Sequence, residues 1–164
     1  MKRQIAFSFA MAAFLSACSV TQDGAEFKYF KNCGDDQGQA AKNADWSKAE
    51  VVDVSFDEGM FEPALIEMFS GQPYVLRIEN KEDFPSWFRA ASFFSDVSIN
   101  KIIYKNKVAT GTCLEAIAMP SKSVAEVHLV PTTVDDYEFQ DSPFHIPPLG
   151  ELFWNSDTGY IIVR

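Results

Sequence analysis

Histidine is nearly absent: the 164-residue chain has two, His128 and His145, and none before position 128. Imidazole is the most common general base and metal ligand near neutral pH, so nucleophilic and metal-assisted catalysis has little to work with. Cysteine is scarce too, at three, and none stands at C-x-x-C spacing, so there is no zinc-type cluster. Gly-x-Ser-x-Gly, His-Glu-x-x-His and a phosphate-cradling glycine loop are all missing. Basic charge is thin and unclustered, with 14 Lys and Arg against 23 Asp and Glu and a formal charge of −9. That excludes the basic surface a nucleic-acid partner needs. No long amphipathic helix and no internal repeat can be traced. The expectation is a protein that is not an enzyme, with only paired carboxylates, which meet in space rather than in sequence, left open.

Apolar material is plentiful: 47% of residues are hydrophobic and fifteen are Phe, enough for one domain with a sizeable core. Met1-Lys2-Arg3 is a short basic start, and Ile5 to Leu15, IAFSFAMAAFL, is an apolar run too short to span a bilayer and suited to an export signal. It runs into Leu15-Ser16-Ala17-Cys18, which resembles the lipobox of bacterial lipoprotein precursors. The resemblance implies removal of residues 1–17 and acylation of Cys18, with palmitate-type chains anchoring the protein at about 0.8 kcal/mol per buried methylene. Ser19 after the cysteine implies the periplasmic face of the outer membrane. Loss of Lys2 and Arg3 lowers the 14 basic side chains to 12 against 23 acids, net −11, so lipid alone would hold the membrane.

Cys33 and Cys113 then remain, an even pair in a compartment that permits disulfides. A bridge between them would close a loop of about eighty residues and stabilise by roughly 4 kcal/mol. Free thiols or a thiolate metal site are the other readings. Residues 18–45 are polar and poor in β-branched side chains, and read as the lipidated N-terminus and a tether.

Residues 46–164 have a β pattern. Val52, Val54 and Phe56 alternate with polar residues; Ala64 to Phe69 stops at Gly71-Gln72-Pro73; and Tyr74, Leu76 and Ile78 share a face opposite Arg77 and Glu79. Further strands are expected over 98–104, 123–130, 137–139 and 160–163. About seven short strands between turns predict an antiparallel sandwich or barrel. SWFRAASFF, residues 86–94, reads as an aromatic loop after a strand end. Met60, Met68 and Met119 are scattered, which favours core packing over thioether ligands. His128, between Val127 and Leu129, is expected on a solvated strand face.

Phe61-Glu62-Pro63, Ile66 and Gly71-Gln72-Pro73-Tyr74-Val75-Leu76-Arg77-Ile78-Glu79-Asn80 resemble the F-x-P … G-x-P-x-x-L-x-x-x-N pattern of cupredoxin-like domains in periplasmic copper-binding proteins. The similarity continues through Phe93-Phe94, DVSIN, Val124 to Pro131 and GYIIV. It implies a Greek-key β-sandwich over residues 46–164, with copper held by one His after the Asn-ending strand and by a Cys, a second His and often a Met before the last strand. The ligands themselves are largely missing. Ser86 falls on the first His position and Asp141 on that of the Cys. The second His falls on Phe144 or, one residue along, on His145, and Leu149-Gly150 replaces a Gly-Met pair.

A blue-copper centre cannot be assembled without its thiolate. Two expectations follow. One is a cupredoxin-like binding or scaffold module without cofactor, whose aromatics Trp87, Phe88, Phe144, Phe153 and Trp154 either plug the vacated pocket or form a patch for a periplasmic protein partner. The other is a copper-binding or copper-trafficking protein with an altered ligand set around His145 and Asp141.

Overall fold

Alternation of apolar and polar side chains sets the central strands. β2 (Glu50–Asp57) buries Val54 and Phe56, and β5 (Tyr74–Asn80) buries Tyr74, Leu76, Ile78 and Asn80 while Arg77 turns outward. The computed structural model describes residues 27–29, 38–105, 107–110, 114–142 and 157–164. Cys18, Cys33, Cys113, Phe144, His145, Phe153 and Trp154 lie outside them, and with them the expected lipid attachment, the disulfide and the His145 ligand.

Among the described residues the strands form two six-stranded sheets. One runs β3 (Met60–Glu62), β2, β5, β10 (Ser123–Pro131), β7 (Val97–Tyr104), β8 (Lys107–Ala109). The other runs β1 (Phe27–Tyr29), β9 (Leu114–Met119), β6 (Ser86–Arg89), β11 (Asp136–Gln140), β12 (Thr158–Val163), β4 (Leu65–Met68). The seven expected strands are present as β2, β4, β5, β7, β10, β11 and β12.

The sandwich is mixed rather than antiparallel, because β2 and β5 run parallel, as do β4 and β12. The chain turns from β2 into β3, crosses to the other sheet as β4, and re-enters beside β2 as β5, so an even number of reversals separates the two neighbours. Between β4 and β5, Gly71 takes φ +80°, which an L side chain adopts only with strain, and its N–H donates to the Pro131 carbonyl at 2.8 Å.

The expected loop SWFR is instead a strand. β6 is paired on both sides, with β9 and β11, so its large residues stand in a sheet interior. The short helix α2 (Ala91–Ser95) then drives Phe93 and Phe94 into the core. Met68 and Met119 pack there as expected, but Met60 does not: it lies on the edge strand β3, beside a turn, 58% exposed.

Part of the polar stretch before residue 46 also joins the fold. Phe27–Tyr29 pairs with β9. The helix α1 (Gln39–Asn43) packs against β7, where the Ala41 N–H donates to Ser98 Oγ at 2.9 Å, and the Trp46 indole N–H donates to the Ala41 carbonyl at 3.0 Å. This covering segment overturns the reading of His128 as solvated. The imidazole is half-buried, tilted against the Trp46 ring at 5.5 Å between centroids.

Candidate functional site

The two residues that stand at the first-His and Cys positions of the cupredoxin resemblance come together. Ser86 opens β6 and is buried, and Asp141 directly follows β11, two strands that are neighbours in one sheet. Ser86 Oγ donates to Asp141 Oδ1 at 3.0 Å, and the Trp87 backbone N–H donates to the same oxygen at 2.6 Å. Burial pushes the Asp141 carboxyl above the usual carboxylate range, the donors from Trp87 and Ser86 oppose this, and the charge of Asp157 adds to it.

Asp157 completes the polar group. The Asp141 N–H donates to the Asp157 carbonyl at 3.1 Å, and an Asp157 carboxylate oxygen accepts the Phe61 N–H of β3. Asp157 was not singled out in the sequence, since nothing local marks a carboxylate whose partner is ninety-six positions away.

Beneath this group the interior is filled by rings. Phe88 stacks on Phe139 at 5.0 Å and 26°, and Phe61 meets Phe139 and Phe88 edge-on at 5.0 and 5.9 Å. The space bounded by Phe56, Phe61, Asn80, Ser86, Phe88 and Met119 leaves no room for a water molecule. Phe88, expected in an exposed-looking loop, is instead 1% exposed and packs within this ring cluster. Trp87, one residue earlier and on the opposite face of β6, is half-buried, and Phe84 in the preceding loop is 51% exposed.

Asn80 ties the rim together, a role the sequence did not announce beyond its place at a strand end. Its Nδ2 donates to the carbonyls of Phe84, Met119 and Pro120 at 2.9, 3.0 and 3.1 Å, and its Oδ1 accepts the Glu82 N–H at 2.9 Å. The loop that presents Phe84 is thereby fixed to the turn after β9.

The described donors do not fit a blue-copper centre. The site offers one hydroxyl and two carboxylates, hard oxygen donors, where that chemistry needs thiolate sulfur and imidazole nitrogen. Ser86 and Asp141 also spend their polar atoms on each other. Among the described residues no group of three or more His, Cys, Asp and Glu stands close enough to hold a metal ion.

No family model matches the sequence, and no curated protein matches it. The fold is similar to that of a multi-copper oxidase from Pseudomonas thermotolerans, at 13% identity and a TM-score of 0.51, over 74% of this chain and 31% of that one. A Cu(I) form of an amicyanin mutant matches at 16% identity, TM-score 0.40, over 87% of this chain and all of that one. The Cu(I)-bound metal-binding domain of the Streptococcus pneumoniae Cu(I)-exporting P-type ATPase CopA matches at 12% identity, TM-score 0.41, over 71% and 87%. The last two scores are too low to carry an argument. What the sheets and the oxidase likeness establish is architecture: the chain folds as a cupredoxin-like β-sandwich.

Proposed function

We propose that this chain is a lipid-anchored, periplasmic cupredoxin-like module that has exchanged its copper site for a closed polar clasp and serves as a binding or scaffold subunit rather than an enzyme. The observation that carries the reading is the Ser86–Asp141 hydrogen bond at 3.0 Å, which joins the two expected ligand positions to each other. The outer surface of that end, with Phe84 and Trp87, is the contact for a periplasmic protein partner, and Cys18 is the point of attachment to the outer membrane. Tight binding of copper through His145 is the rival.

Titrating the full chain in detergent with Cu(I) and with Cu(II) separates the two. The reading expects no stoichiometric binding tighter than about micromolar, a free energy of about −8 kcal/mol. Binding above that strength that His145→Ala abolishes would overturn it. A membrane pull-down comparing wild type with Trp87→Ala then tests the contact surface, with an expected loss of about thirtyfold, the ~2 kcal/mol of an interface hot spot. Equal recovery of every partner by the two chains removes Trp87 from the contact.

A further inference from the structure

His128 lies on β10 beneath a segment that the fold does not need in order to close its two sheets. Gly38 to Ala49 crosses β7 and β10 as α1 and a turn of 3-10 helix at Trp46–Lys48, and what fastens it is sparse. Ala41 donates to Ser98, and Trp46 folds back to the Ala41 carbonyl while its ring covers the imidazole. Asp45 caps the 3-10 turn, accepting the Ser47 N–H at 3.2 Å. Neither α1 nor the turn makes a paired ladder with the sheet.

The imidazole is poorly provided for in its charged form. His128 Nε2 is buried with no hydrogen-bond partner. Lys101 stands opposite on β7, at a β-bulge where the register slips between His128 and Leu129. On the same strand Glu126 Oε2 lies 3.7 Å away, too far for a hydrogen bond. On the other side β5 offers Val75 opposite His128, and Arg77 opposite Glu126 is itself paired with Asp53 at 3.5 Å. The covering segment carries Lys42 in the last turn of α1 and the exposed Asp45–Lys48 pair. The nearest positive charge therefore opposes protonation, and the single carboxylate within reach is partly exposed.

We propose that Gly38–Ala49 is an acid-released strap: protonation of His128 lifts Trp46 and α1 off β7 and β10 while the two sheets stay folded. Burial first and Lys101 second hold the docked imidazole below its usual range, with Glu126 opposing. An undocked imidazole titrates near 6.5. The docked strap is thus favoured above that value, and the preference is lost as pH falls through the lowered docked value. With β1 paired to β9 before it and β2 paired to β5 after it, the released segment is a loop tethered at both ends, and its lifting uncovers His128 and the face of β7 and β10.

Amide hydrogen exchange of the full chain in detergent, read as protection factors at pH 7.5 and pH 5, tests the strap. Protection of the Ala41 and Lys42 amides should fall severalfold at pH 5 in wild type, while Leu76 in β5 keeps its protection. In His128→Gln the strap amides should show no such fall. No fall in wild type, or an equal fall in His128→Gln, overturns the proposal. Should His128→Gln lose protection at Leu76, Lys101→Met decides: by bringing the docked imidazole closer to its undocked value it should weaken acid release and move the midpoint to lower pH, and an unmoved midpoint counts against the strap.

Discussion

Asp141 places a carboxylate where burial disfavours its charge, yet gives it two donors on one oxygen. Its folded-state pKa is raised, so its contribution to stability is fully present below the ordinary carboxylate value near 3.8 and is lost as pH rises through the raised value. Asn at this position keeps an oxygen that accepts from Ser86 and Trp87 and carries no charge to bury. Asp141→Asn should therefore match wild type in urea midpoint near pH 3 and exceed it at pH 7, the gap opening across the carboxylate range. A variant less stable than wild type at pH 7 would mean the ionised group is stabilising in place. The meeting of Ser86 and Asp141 was legible, because the resemblance put both at ligand positions of one centre. Asp157 and Asn80 were not. Their partners are backbone groups of β3 and of the turn after β9, and no sequence pattern encodes a contact of that kind.

Between elements, β11 and β12 illustrate how packing overrides what alternation can say. Gly159 on β12 stands directly opposite Phe139 on β11, and a Cβ built on it would lie 2.1 Å from the Phe139 ring. The ring cannot swing away, since Phe61 meets it edge-on and Phe88 stacks on it, each at 5.0 Å. Gly159→Ala should cost about 3 kcal/mol, the upper part of the overpacking range, read as a drop in urea midpoint. Adding Phe139→Leu should recover part of that loss, giving a double mutant less destabilised than the sum of the singles. Strict additivity would show that the ring and the glycine are not coupled. The same scale explains the misread stretch at 86–94. β6 has only four residues, with Ser86, Phe88 and Arg89 buried and Trp87 half-buried, so no exposed position marks the period of two that betrayed β2 and β5. The strands found from sequence were those that alternate or end at clear turns; β3 and β8 are three residues each, too short to show a period.

At the scale of the molecule, the sheet containing the clasp is closed by the last strand rather than the first. β12 lies inside that sheet, antiparallel to β11 and parallel to β4, with Ile161 and Val163 buried at 0% and 1%. Arg164 binds β4 and the turn beyond it, donating to the Met68 carbonyl at 2.9 Å and accepting the Ser70 N–H at 2.8 Å. Without β12, β4 has no neighbour in its sheet, and Ile66, Met68 and Phe139 lose their cover. Each large apolar side chain so exposed forfeits about 1.5–3 kcal/mol. Five of them together, counting Ile161 and Val163, reach about 8–15 kcal/mol, which spans the whole stability of an ordinary domain. A chain ended before Thr158 should therefore show no cooperative urea transition by tryptophan fluorescence, and its β5 amides should exchange without protection. Retention of a single transition with an undiminished denaturant slope would mean that the core closes without β12, whereas a single transition with a clearly smaller slope would mean that the sheet of β2, β5, β10 and β7 folds alone and that the end bearing Ser86 and Asp141 is an addition to it.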